Sequence, residues 1–156
     1  YVVSKRMLSR FVSSYEHDFV HWHFILPTIY GEGENPQRLI PYVINALRSR
    51  DVPRFTSGEQ LRQYLYVNEV PDVIERAYNQ KLPSGVYNIQ GSEIVTVREI
   101  VNVVAKRMGK FIPESCFGSV YRSDVGMKYL ALDGTRLSQA IGFVPSIQIA
   151  DVISRY

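Results

Sequence analysis

The sequence predicts an α/β fold in which helices and short strands alternate. Apolar residues return at helical spacing in several separate stretches, short β-rich runs fall between them, and no long structureless or low-complexity segment breaks the order. Val3, Met7, Phe11 and Tyr15 recur every four residues with Leu8 and Val12 beside them, which predicts an amphipathic first helix ending near His17 or Asp18. Trp22 to Leu26 reads as a short buried strand stopped by Pro27, and the run Tyr30 to Pro36, with Gly31 and Gly33, as a turn-rich loop. Asn35 followed by Pro36 predicts the cap and first turn of a second helix with the apolar stripe Leu39, Ile40, Val43, Ile44 and Leu47, closed by Arg48 to Arg50.

Val52 to Thr56 and Gln63 to Val67 are β-rich and separated by a polar loop containing Gly58, which predicts a strand in each. Asn68 is the expected cap of a third helix that tolerates Pro71 in its first turn and buries Val70, Val73, Ile74, Ala77 and Tyr78. Gly85 to Ile89 is a further strand. Thr96, with Glu99 three residues on, forms a capping box ahead of Ile100, Val101, Val104 and Met108, and Gly109 ends that helix. Tyr129 to Leu132 reads as a strand, Asp133 as a cap, Gly142 as a C-terminal stop, and Ser146 opens a last short helix.

Bulk properties narrow the function. At 156 residues and 46% apolar content the chain can build an ordinary domain core. The net charge of +3 comes from dispersed lysines and arginines, whereas a nucleic-acid binder concentrates them on one face, so the excess suits a few phosphates and no nucleic-acid partner is expected. Cys116 is the sole cysteine, which excludes an internal disulfide and a cysteine zinc cluster. No apolar run approaches the length that spans a bilayer, so the expectation is a cytoplasmic protein without a membrane partner. His21 and His23 flank Trp22 without an evident carboxylate partner, and no metal is expected. The chain opens on Tyr1 with its first motif at the extreme edge, which leads us to expect a piece of a longer protein.

Two residues at that edge bear on chemistry. Tyr1 and Lys5 stand four apart, on one face of the first helix. A lysine ammonium beside a tyrosine favours the phenolate and brings the hydroxyl toward a range useful for proton transfer. The strand, glycine turn and helix that receive a dinucleotide pyrophosphate are absent from this sequence, so the usual grip on such a cofactor is not expected from this chain alone.

Several further motifs follow in order. Tyr1-x-x-x-Lys5 is succeeded by Thr28-Ile29-Tyr30-Gly31-Glu32-Gly33, like a family NVYGPG, and by Pro36-Gln37-Arg38-Leu39-Ile40-Pro41, like P-x-x-L-I-P. Arg62 to Val70 is similar to RDFIYVDDV, Tyr87 to Ser92 to YNIGSG, and Asp133-Gly134-Thr135-Arg136 through Gly142 and Pro145 to a D-x-S/T-K/R…L-G-x-x-P ending. Taken together the chain resembles the nucleotide-sugar epimerase and dehydratase branch of the extended short-chain dehydrogenase/reductases, from the catalytic tyrosine onward.

The resemblance implies a C-terminal part of a Rossmann-type enzyme with its small α/β substrate-binding domain: residues 1–30 and 68–91 in the Rossmann sheet, 31–67 and 92–156 mainly around the substrate. It implies Tyr1 as proton shuttle, Lys5 as its partner, and Tyr1, Lys5, Leu26 and Pro27 beside an NAD or NADP cofactor. For the substrate, a nucleoside-diphosphate sugar, it implies Thr28 at the sugar, Arg38 and Leu39 at the nucleoside, Phe55 near the base, and Arg62 and Arg122 on the diphosphate, where a planar guanidinium forks onto phosphate oxygens. Phe55 also reads as a plain core aromatic. Gln63 stands at the usual aspartate position, Gln90 and Glu93 alter the glycine-rich turn, and Ile25 and Leu26 occupy a stretch that often holds an arginine. Epimerase, 4,6-dehydratase and 4-ketoreductase share this core, acting at C4 of the sugar, and a homodimer or other self-association is expected, with the first helix as the family's common dimer element. The alternative is a binding module on the same fold, holding a nucleotide sugar or a protein without turnover.

Overall fold

The computed structural model describes residues 2–15, 19–121 and 127–156, and its elements alternate as an α/β chain. The strands sort into two small sheets. β1 (Trp22–Ile25) pairs in parallel with β4 (Gly85–Asn88), Trp22 opposite Gly85. In the other sheet β2 (Thr28–Tyr30) runs parallel to β3 (Leu61–Tyr66), β5 (Glu93–Thr96) lies antiparallel to β3, and β6 (Tyr129–Leu130) joins its first residues in parallel.

β3 is the shared wall between two cores because successive strand residues face opposite ways. Tyr64 and Tyr66 enter one core, with Ile40, Val43 and Ile44 from α2 (Leu39–Ser49) and Ile100, Val101 and Val104 from α4 (Val97–Arg107). Leu65, between them, enters the other, with Val73 and Ala77 of α3 (Glu69–Asn79) and Leu137 and Ile141 of α5 (Thr135–Ile141). Fully burying a side chain of this size contributes about 1.5–3 kcal/mol. At Gly91 no side chain fits, since a Cβ there would lie 2.0 Å from the Tyr64 carbonyl oxygen.

Several local readings hold. The capping box is complete: the Glu99 N–H donates to Thr96 Oγ1 at 3.1 Å, and Glu99 Oε2 accepts from the Thr96 N–H at 2.6 Å. Gly142 ends α5 in the left-handed region at φ 61°, whereas Asp133 is not its cap: Gly134 holds that place, and the Asp133 carboxylate accepts from the Thr135 N–H at 2.9 Å in a turn ahead of the helix.

Others are corrected. The run Val52 to Thr56 forms no strand; the Phe55 N–H donates to Cys116 O at 2.8 Å and Phe55 O accepts from the Val120 N–H at 3.2 Å, so it is an irregular segment tied to another loop. Pro53, lacking an N–H, suits it poorly to a ladder. Asn35 caps no helix. Its carboxamide oxygen accepts from the Gln37 N–H at 2.8 Å, and its carbonyl from the Arg38 N–H at 2.9 Å, building a turn ahead of α2. On α3, Ile74 and Tyr78 are exposed, and the buried place falls instead to Glu69, 2% exposed. Asn68 does not cap α3 through its side chain; its amide donates to the Tyr66 hydroxyl at 2.9 Å.

α1 (Val2–Ser13) ends in a turn at Ser14 and Tyr15, short of His17 and Asp18, which lie outside the described residues. Its stripe is present but turned to solvent, with Val3, Met7 and Phe11 69%, 66% and 62% exposed. The chain closes on α6 (Ile149–Val152) and a 3-10 turn, Ile153–Arg155. Among the described residues no helix is long and apolar enough to cross a membrane.

Candidate functional site

A cavity of about 610 Å³ opens where β2, β3, the first turn of α2 and the irregular segment after it converge. Each element brings a different chemistry. β2 and β3 pair in parallel with Thr28 opposite Tyr64, so a hydroxyl and a phenol share one edge of the space. Strand alternation from that point puts Arg62, and Gln60 ahead of the strand, on the same side. From α2, Leu39 and Tyr42 are three residues apart and hence on one helical face.

The wall nearest Tyr42 is aromatic. Phe55 meets Tyr42 edge to face at a centroid distance of 5.9 Å and stacks on Phe117 at 5.2 Å. Phe55 is both a core side chain, 5% exposed, and part of the cavity lining, so its two readings in the sequence describe one position.

Three arginines are among the lining residues, Arg38, Arg54 and Arg62. Arg38 Nη2 donates to Ile29 O at 3.0 Å and its Nε pairs with Glu34 Oε2 at 3.0 Å. Arg62 Nη1 donates to its neighbour's carbonyl, Leu61 O, at 2.8 Å, and the residue lies within β3 rather than ahead of it. Tyr64 is buried with its phenol pushed up to about 12, chiefly by desolvation, while Arg62 and Arg38 pull the other way. It therefore stays a neutral hydrogen-bonding group at physiological pH. Gln60 donates from Nε2 to Thr56 Oγ1 at 3.1 Å, and its buried Oε1 has no partner among the described residues.

The structure thus gathers Thr28, Arg38, Leu39, Phe55 and Arg62 around one space. Lys5, Leu26 and Pro27 lie outside its lining: Lys5 is exposed on α1, Leu26 is exposed just past β1, and Pro27 is half-buried between β1 and β2. Tyr1 and Arg122 lie outside the described residues. Reading the sequence missed Tyr42, Arg54, Gln60 and Tyr64. The period-two series Gln60, Arg62, Tyr64 was available, but a strand begun at Gln63 cuts it.

Residues that depart from the family pattern have work elsewhere in the fold. Gln63 is buried and clasps one backbone unit, its Oε1 accepting from the Leu132 N–H at 3.0 Å and its Nε2 donating to Leu132 O at 3.3 Å. Glu93 Oε1 accepts from the Ile149 N–H, the first of α6, at 2.6 Å, and burial raises its pKa above the ordinary carboxylate range.

Comparison with known proteins identifies the family. The model of the NAD dependent epimerase/dehydratase family matches residues 1–89. A dTDP-glucose 4,6-dehydratase of Streptomyces griseus is 30% identical over 127 residues, covering 78% of this chain and 37% of the relative. Among solved structures, dTDP-glucose 4,6-dehydratase from Bacillus anthracis in complex with NAD superposes with a TM-score of 0.78 at 20% identity, over 96% of this chain and 47% of that one. MoeE5 in complex with UDP-glucuronic acid and NAD gives a TM-score of 0.70 at 25% identity, over 86% and 45%. The chain spans less than two fifths of the length of the curated dehydratase and less than half of either solved one. With more than half of its residues inside the family match, this chain belongs to the NAD dependent epimerase/dehydratase family.

Proposed function

We propose that the chain is the substrate-holding part of an NAD(P)-dependent enzyme that modifies a nucleoside-diphosphate sugar at C4, as an epimerase, 4,6-dehydratase or 4-ketoreductase. One observation carries the reading. Thr28, Arg38, Leu39, Phe55 and Arg62 come from four separate stretches of sequence, each with a substrate role in the family's pattern, and they line a single cavity. Its size lies in the ordinary range of a small-ligand site, ~300–1,000 Å³. An aromatic wall suits a base, guanidiniums suit a diphosphate, and Thr28 with the neutral Tyr64 phenol suits sugar hydroxyls.

In this reading Tyr1 takes the proton from the C4 hydroxyl and Lys5 favours its phenolate. NAD or NADP would lie against Lys5, Leu26 and Pro27 and would supply the hydride acceptor. The exposed Leu26 and half-buried Pro27, past the C-terminal end of a parallel strand, fit the edge of such a cofactor, because ligands of parallel sheets gather at those ends. No glycine turn for its pyrophosphate is among these residues, so the isolated chain binds NAD(P) barely and does not turn over. Residues 1–30 and 68–91 would serve the Rossmann sheet, in keeping with the parallel β1 and β4 pair, and 31–67 and 92–156 mainly the substrate. Two copies associate through the apolar face of α1.

Titration of the chain with UDP-, dTDP-, CDP- and GDP-sugars tests the reading. Saturable binding of at least one, with NAD(P) far weaker, is expected; tight NAD(P) binding without any nucleotide-sugar affinity would refute it.

A further inference from the structure

The three arginines of the cavity are not equivalent. Arg38 is committed: Glu34 neutralises it at 3.0 Å, and Ile29 O takes another of its donors. Glu34 is itself held, accepting from the Tyr156 hydroxyl at 2.6 Å, so the ion pair is built into the fold rather than a chance surface contact. Arg62 spends one nitrogen on Leu61 O and keeps its remaining donors. Behind the aromatic wall, Arg98 is consumed by Ser57 O and Glu114 while stacking on Phe117. The guanidinium of Arg54 has no hydrogen-bond or ion-pair partner among the described residues, and Arg54, an exposed residue, is one of those lining the cavity.

The backbone beneath Arg54 is anchored on both sides. Its own N–H donates to the Tyr42 hydroxyl at 3.0 Å, and the next residue, Phe55, is tied through N–H and carbonyl to Cys116 and Val120. Phe55 is further clamped between Tyr42 and Phe117. A cation without a protein partner on a fixed backbone is suited to meet an anion from solution, because its attachment point is ordered before the ligand arrives.

Charge decides which anion. A nucleoside-diphosphate sugar carries one negative charge on each phosphate. Among the described residues of the lining, Arg38 is cancelled by Glu34, which leaves Arg54 and Arg62 as the uncompensated cations. We propose that Arg54 is a diphosphate-binding residue that works with Arg62, while Glu34 withholds Arg38 from that task. The proposal rests on the nucleotide-sugar reading above and assigns to it a residue that the family's motif does not mark in this sequence.

Calorimetric titration of the 156-residue chain with UDP and with UMP tests it. Arg54→Met is expected to weaken UDP about tenfold and UMP much less, since one charge-assisted contact to the second phosphate is lost. Arg54→Lys keeps most of the UDP affinity, and Arg50→Met, an exposed arginine outside the lining, stays within about twofold of the parent. UDP binding by Arg54→Met that matches the parent, or UMP weakened as much as UDP, would overturn the assignment while leaving the nucleotide-sugar reading in place. A parent chain that binds neither UDP nor any nucleotide sugar would overturn both.

Discussion

The hydroxyl of Tyr156 donates to Glu34 Oε1 at 2.6 Å, across 122 positions of sequence, and the other oxygen of that carboxylate pairs with Arg38 at 3.0 Å. Tyr156 thereby reaches the carboxylate that pairs with one arginine of the cavity. Burial holds the Glu34 carboxyl above the ordinary carboxylate range, with Tyr156 first and Arg38 second pulling it back down. In the interval between the unfolded value and that raised value the folded chain binds more protons, so this group's contribution to stability falls as pH rises through the interval. Tyr156→Phe removes a lowering influence, widens the interval upward, and costs about 1–2 kcal/mol at neutral pH. Urea unfolding of parent and variant from pH 4 to 8 checks this, and superimposable pH profiles would count against it.

The capping box carries the opposite sign. Thr96 N–H and Oγ hold the Glu99 carboxylate below its ordinary pKa. Its stability is present above the unfolded value and disappears as pH falls through the depressed one. Thr96→Ala should cost about 1 kcal/mol at neutral pH, and less in acid once Glu99 is protonated. A loss that does not shrink in acid would show that the box contributes through something other than the carboxylate.

Glu69 is 2% exposed and its Oε1 accepts from the backbone N–H groups of Ser146 at 2.6 Å and Ile147 at 3.2 Å. It ties the segment leading to α6 onto α3. Glu69→Ala strands both donors and is expected to cost about 2–4 kcal/mol, whereas Glu69→Gln keeps an acceptor and costs about half as much. Thermal melts of the two variants rank them, and equal losses would contradict the acceptor role.

In the whole enzyme, Tyr1→Phe should leave nucleotide-sugar affinity in place and lower kcat about a hundredfold or more, the scale of a lost general acid or base. Lys5→Met should depress turnover and weaken cofactor binding together. If Arg62 holds the diphosphate as proposed, Arg62→Ala removes a contact made equally before and at the transition state, so its loss should appear mainly in KM. Steady-state kinetics separate the cases; unchanged kcat in Tyr1→Phe would place the chemistry elsewhere.

The exposed stripe of Val3, Met7 and Phe11 predicts self-association. Light scattering should report a species heavier than one chain for the parent and a single chain for Met7→Lys with Phe11→Glu. A parent that stays monomeric at high concentration would remove α1 as an interface.

What the sequence determined by itself is what short-range physics controls. The Thr96 and Glu99 box, the left-handed stop at Gly142 and the stripe on α2 each depend on residues within a few positions of one another. The order of motifs, too, was legible, and so were Thr28, Arg38, Leu39, Phe55 and Arg62 as candidates. The tertiary structure decided everything that needs a distant partner. β2 and β5, three and four residues long, are strands only because β3 offers each a hydrogen-bonding edge, and Val52 to Thr56 is not one because Cys116 and Val120 take the Phe55 backbone instead. Local propensity cannot see those competitors. The burial of Glu69 in place of Ile74 has the same origin, since the N–H groups it serves lie 77 and 78 positions away. Arg54 looks in sequence like any surface arginine. It differs from Arg38 because Glu34 stands beside one guanidinium and no carboxylate among the described residues beside the other, a distinction that belongs to folded space.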